Sequence, residues 1–186
     1  MNSMIEDTIE FAIVDDEIMV VRVKGRGCNL NSVNLGKFVQ DIRQQYPNIH
    51  IIFDLEKCSY VDSTFMGTML MLNRGLKNSN SSSLMVLNVQ NQVYQTLYKT
   101  GLHHILDIRN NKDFPLLEKA DFKKMENSAP ISRIEQIVNS LEAHVTLMNL
   151  GSENELRFQS VVKYLEDSLE REKKRISENT PPSSKS

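Results

Sequence analysis

IIFDLEKCSYVDSTFMGTMLMLNRGL, residues 51–76, decides how the chain is read. It opens on a nearly continuous apolar run ending at Asp54, as expected of a strand covered on both faces. A second short apolar stretch runs into Asp62-Ser63-Thr64, and the apolar spacing from Phe65 and Met66 to about Leu76 predicts a helix. Small polar residues at a strand–helix junction can cap the helix, because its first backbone N–H groups have no partner within it. The same position can be a chemical site. A hydroxyl at a helix N-terminus would hold an added phosphate against free N–H groups and the positive end of the dipole. The two readings are compatible, since a phosphate adds about two negative charges at one spot.

Working outward, EFAIVDDEIMVVRVKG (10–25) reads as two strands about a turn at Asp15-Asp16-Glu17. GRGCN (25–29) reads as a loop, and residues 30–46 as a helix with Val33, Phe38, Val39 and Ile42 on one side, ended by Pro47-Asn48. Downstream come a polar loop (78–83), a strand (84–89) and a helix (90–102) with Gly101 suited to its C-cap. A short strand (104–108) and a short helix within NKDFPLLEKAD (111–121) follow. This alternation predicts an α/β fold, a mixed and mainly parallel sheet packed with helices.

Composition shifts near residue 125, which divides the chain into an α/β domain (1–125), a helical extension (126–176) and a tail (177–186) whose composition predicts disorder. In the extension, Ile131, Ile134, Val138, Leu141, Val145 and Met148 form one stripe, and Leu156, Val161, Leu165 and Leu169 a second. A break at Leu150-Gly151-Ser152 separates them, and Ser152 with Glu155 fits a capping box. The reading is an αα-hairpin. Its stripes can pack on the sheet domain, on a second copy as a homodimer, or on a partner helix.

Several function classes are disfavoured. A net charge of −2 with no basic block gives no cationic face for nucleic acid. No apolar run approaches the ~20 residues that cross a bilayer, and the acidic start lacks a signal pattern, so a cytoplasmic protein is expected. A hydrolase acting through Ser63 would want glycines around the serine, whereas Val61 and Phe65 flank this element; none of His50, His103, His104 and His144 has an evident pairing with Ser63. Gly25 and Gly27 fall short of a phosphate loop, and no residue spacing implies a metal site. Cys28 and Cys58 are expected as free thiols, Cys58 as a small core residue or a redox-active one.

The quoted stretch resembles the signature of the STAS family, the domain of sulfate transporters and anti-sigma factor antagonists. Asp54, Asp62, Ser63, Thr64 and Gly67 match it, as does TGLHHILDI (100–108), and the resemblance covers about residues 9–120. In the antagonist branch, a bacterial partner-switching system of transcription control, the serine after the Asp is phosphorylated. The kinase is a serine kinase that is itself the anti-sigma factor, and a PP2C-type phosphatase resets the site. The resemblance therefore implies Ser63 as acceptor, with Asp62 orienting the loop and Thr64 as cap or secondary acceptor. Asn29, Phe65 and Met66 are expected on the docking rim. It implies a binding module with no catalytic residue, metal or cofactor of its own; the alternative is a constitutive interaction module with Ser63 as a helix cap. Two positions depart from the family: Phe65 stands where Gly is usual, and Gly25–Asn29 lacks the usual acid.

Overall fold

The computed structural model describes residues 6–78, 84–109, 117, 119–126 and 130–179. Strands β1 (Thr8–Val14) and β2 (Ile18–Gly27) form an antiparallel hairpin. Asp15 and Asp16, at its turn, take φ of 52° and 56°. They form a tight turn within the three-residue loop 15–17, closed by the Glu17 N–H donating to the Val14 carbonyl at 3.1 Å, and Asp tolerates that conformation better than most side chains. Then follow α1 (Asn29–Gln45), β3 (His50–Asp54), β4 (Cys58–Val61), α2 (Ser63–Asn78), β5 (Met85–Leu87) and α3 (Asn91–Lys99). A 3-10 turn (Leu102–His104), β6 (Asp107–Arg109) and β7 (Lys123–Lys124) complete the domain, and α4 (Arg133–Met148) and α5 (Ser152–Asn179) form the hairpin.

Among the described residues the sheet runs β6-β5-β3-β2-β1-β7. The inner pairings β6–β5, β5–β3 and β3–β2 are parallel, and β1 and β7 add antiparallel edges. The long strand β2 changes partner along its length: Ile18–Arg22 pairs with β3, and Gly25–Gly27 with β4. Residues 25–27, expected in a loop, are therefore strand. The register breaks between Gly25 and Arg26, and Gly25 has a left-handed φ of 72° that suits its lack of a Cβ. This exchange carries β4, and with it Asp62, to the end of the sheet where α1 begins.

The main core lies between the sheet and its helices, and Leu35, Phe53, Phe65, Met69 and Leu70 are fully enclosed in it. Each such side chain contributes about 1.5–3 kcal/mol by leaving water. The opposite face of β2, β3 and β5 holds a smaller cluster of Val20, Ile52 and Leu87 beside Phe122. The matched Asp54 is fully buried at the end of β3. Its Oδ2 accepts from Arg22 Nε at 2.8 Å, and the Arg22 guanidinium lies 3.7 Å over the Phe122 ring.

Other boundaries move too. The strand expected at 104–108 is a 3-10 turn followed by β6, and β7 was not foreseen. Most of 111–121 and all of 180–186 lie outside the described residues, and 177–179, expected in the tail, belong to α5. The capping box forms at Ser132–Glu135, opening α4. At the box expected one helix later, the Glu155 N–H donates to the Gly151 carbonyl. The second stripe is also revised. Leu156 is 72% exposed, and the inner face of α5 carries Asn154, Phe158, Val162 and Glu172, buried, with Leu165 and Leu169 half-buried.

Candidate functional site

The junction before α2 answers the capping question at once. The Asp62 N–H donates to the Gly27 carbonyl at 3.0 Å, which fixes the start of α2 beside the end of β2. Asp62 Oδ1 then accepts from the Phe65 N–H at 2.8 Å, and Oδ2 from the Asn29 N–H at 2.8 Å. One carboxylate thus caps two helices whose N-termini converge, with its charge at the positive end of both dipoles. Of the cap candidates Asp62, Ser63 and Thr64, only Asp62 bonds these amides, which corrects the alternative reading of Ser63 as the cap and the reading of Thr64 as one. Asp62 holds that role, and the Ser63 hydroxyl is left for other work.

That hydroxyl faces the hairpin. Ser63 Oγ lies 2.8 Å from His144 Nε2 of α4, and His144 Nδ1 lies 2.6 Å from the Ser140 carbonyl. A carbonyl only accepts, so Nδ1 carries the hydrogen; in the neutral ring Nε2 then accepts from the Ser63 O–H. The adjacent Thr64 Oγ1 lies 3.2 Å from Ser140 Oγ. Three residues on, the two helices touch backbone to backbone: a Cβ on Gly67 would sit 2.5 Å from the Ala143 carbonyl oxygen. His144 is 5% exposed, with its ring edge-on to Phe158 of α5 at 5.6 Å and 72°.

Ser63 therefore does have a histidine partner, contrary to the sequence reading. The pair has the separation of a nucleophile and its base. A cavity of about 340 Å³ lies between α1, α2 and α4, lined by Val33, Met71, Leu72, Ile134 and Val138, and a second lies beside Thr100 and Gly151. Neither is lined by Ser63 or His144.

Two expected rim residues are corrected. Phe65 is 0% and Met66 3% exposed. The Phe65 ring packs edge-on to Phe53 at 6.3 Å and lies against Gly27, where a Cβ would meet it at 2.7 Å. The missing side chain at Gly27 is what accommodates an aromatic in place of the family's usual Gly. Asn29 is half-buried at the start of α1 beside Asp62, and Leu30 next to it is largely exposed. Thr64 is buried.

Cys58 is fully enclosed, its Sγ 3.3 Å from the Tyr60 carbonyl, and burial pushes its thiol above the ordinary range. That favours the core role over the redox one. Among the described residues no cluster of three or more His, Cys, Asp or Glu could hold a metal ion, and no helix is long and apolar enough to cross a membrane. The hairpin is also held at its ends. Lys37 of α1 pairs with Glu135, which the ammonium and the Ser132 N–H and hydroxyl together hold down at about 2. Asn154 Nδ2 donates to the Thr100 carbonyl at 2.9 Å, and Arg157 to the Lys99 carbonyl at 2.6 Å.

The residues that sequence reasoning missed are Ser140, Ala143 and His144. They lie on the buried face of α4, whereas Ile134, Val138 and Leu141, chosen for their apolarity, are only half-buried. A search for small residues at helical spacing would have found Ser140 and Ala143, with His144 beside them.

The family comparison agrees with this architecture. Residues 12–114 match the STAS domain. A solved structure titled as a putative anti-sigma factor antagonist (TM1081) from Thermotoga maritima aligns with a TM-score of 0.51 at 20% identity, covering 58% of this chain and 91% of that one. The structure of the anti-sigma factor antagonist SpoIIAA in its unphosphorylated form aligns with a TM-score of 0.49 at 17% identity, covering 60% and 96%. No curated protein matches the chain. The match ends at residue 114, so the α4–α5 hairpin lies beyond it. With more than half of its length matched and the sheet and helices in this order, the chain belongs to the STAS domain family.

Proposed function

We propose that the chain is a phosphorylation-controlled protein-binding switch, an anti-sigma factor antagonist that engages a serine kinase while Ser63 is bare. The observation that carries this reading is the division of labour at the junction. Asp62 caps both helices, so the Ser63 hydroxyl has no capping duty and stands at the N-terminus of α2. A phosphate there would meet the positive end of a helix dipole. In the step itself the γ-phosphoryl of ATP leaves ADP and forms a P–O bond to Ser63 Oγ, whose proton passes to a base of the kinase. The partner kinase is itself the anti-sigma factor; ATP and its metal belong to that kinase, and a PP2C-type phosphatase removes the phosphate. The added charge and bulk weaken docking at this surface. Asn29 and the exposed Leu30 form the rim beside it.

The test is phosphopeptide mass spectrometry on the chain isolated from its own cells, over the peptide from Cys58 to Arg74. The expected result is one phosphate, on Ser63. Complete coverage without phosphate across growth and stress conditions would overturn the reading. It would favour a constitutive interaction module instead, in which the Ser63–His144 hydrogen bond is purely structural.

A further inference from the structure

The face of α2 that carries Ser63 is already occupied, and by this chain's own α4. We propose that the α4–α5 hairpin is an internal latch whose docked position and a phosphate on Ser63 exclude one another. The inference rests on Ser63 as phosphoacceptor and adds how access to it is controlled.

Three contacts carry it. His144 Nε2 lies 2.8 Å from Ser63 Oγ, on a buried ring packed edge-on against Phe158. The Ala143 backbone rests on Gly67, where even a methyl group would be 2.5 Å from it. Ser140 occupies the polar group of Thr64. A phosphate adds three oxygens and their hydration at Oγ, which compete with the His144 contact for the same space.

The seam is polar where it meets Ser63. The docking residues there are small or polar, Ser140, Ala143 and His144, while Leu147 one turn on enters the apolar core. Farther along, the cavity of about 340 Å³ between α1, α2 and α4 leaves Val138 and Met71 incompletely packed across the seam. Phe158 of α5 packs on His144 of α4, and Leu147 and Phe158 also reach the main apolar core, so α4 and α5 would leave together and expose apolar surface as they do. Linkage makes the effect reciprocal. Release of the hairpin favours phosphorylation by the same factor by which phosphorylation favours release.

The experiment uses the full chain. In Ser63→Glu, amide hydrogen exchange over residues 133–148 is expected to rise about tenfold or more relative to wild type, while β3 and β5 exchange stays unchanged. Exchange in α4 equal to wild type would overturn the latch. Ser63→Cys supplies a second reading. Its alkylation by a neutral maleimide is expected to accelerate about tenfold or more when combined with Ala143→Glu, while buried Cys28 and Cys58 stay slow and report that the domain is still folded. Equal rates in Ser63→Cys with and without Ala143→Glu would equally overturn it. Neither readout depends on a kinase. An absence of phosphate in cells therefore removes the phosphoacceptor reading alone, and an unmoved hairpin removes the latch alone.

Discussion

At the scale of single residues, the most consequential side chain is Asp62, because two helix N-termini depend on one carboxylate. Replacing a cap by Ala costs about 1 kcal/mol per helix. Asp62→Ala is therefore expected to destabilise the domain by about 2 kcal/mol in urea unfolding. Asp62→Asn, which keeps an acceptor for one of the two helices, should fall between. Ser63→Ala loses only the bond to His144 and should be the mildest of the three. Cys58 gives an independent check on the core. Its thiol is enclosed and raised above the ordinary range, so it stays protonated at neutral pH. Alkylation of Cys58 should track global unfolding and accelerate with denaturant; rapid labelling of the native protein would contradict its placement.

At the scale of elements, the Lys37–Glu135 pair ties α4 to α1. The folded-state value of Glu135, about 2, lies below its ordinary 4.5, so its contribution is fully present above 4.5 and is lost as pH falls toward 2. The side chain is half-exposed, which keeps the effect small and salt-sensitive. The stability difference between wild type and Glu135→Gln should therefore shrink between pH 5 and pH 2, and a difference independent of pH would exclude this role. Elements whose signals are local were readable in advance: the apolar run of β3, the Asp15-Asp16 turn, the periodic α2, and Gly101, which has the left-handed φ of a C-cap. The pieces that were not readable depend on distant partners. Residues 25–27 are strand only because β4 arrives to pair with them, and β7 is two residues long. His144 reaches Ser63 across 81 positions, on a helix face whose small residues look unremarkable beside the isoleucines next to them.

At the scale of the whole molecule, the sheet has a charged tie of its own, outside the hairpin. The pair of half-buried Arg22 and enclosed Asp54 joins β2 to the end of β3, far in sequence from the hairpin. Removing the guanidinium strands the enclosed Asp54 carboxylate, so Arg22→Met is expected to cost on the order of 3 kcal/mol, and Arg22→Met with Asp54→Leu considerably less. Denaturant melts of the two variants compare them directly; equal losses would assign the effect to packing alone.

β7 has a consequence of another kind. It pins Lys123 and Lys124 to β1, with the Met125 N–H donating to the Ile9 carbonyl, and α4 begins at Arg133. Only residues 126–132 join an anchored strand to the hairpin, so a detached hairpin cannot diffuse away. Short connections of this kind hold a segment at an effective concentration in the millimolar range. A protein present at micromolar concentration competes for the same face at a disadvantage of about a thousandfold, or about 4 kcal/mol. The length of one connection thus sets a threshold that any competitor has to exceed, and lengthening it would lower that threshold without touching a single contact residue.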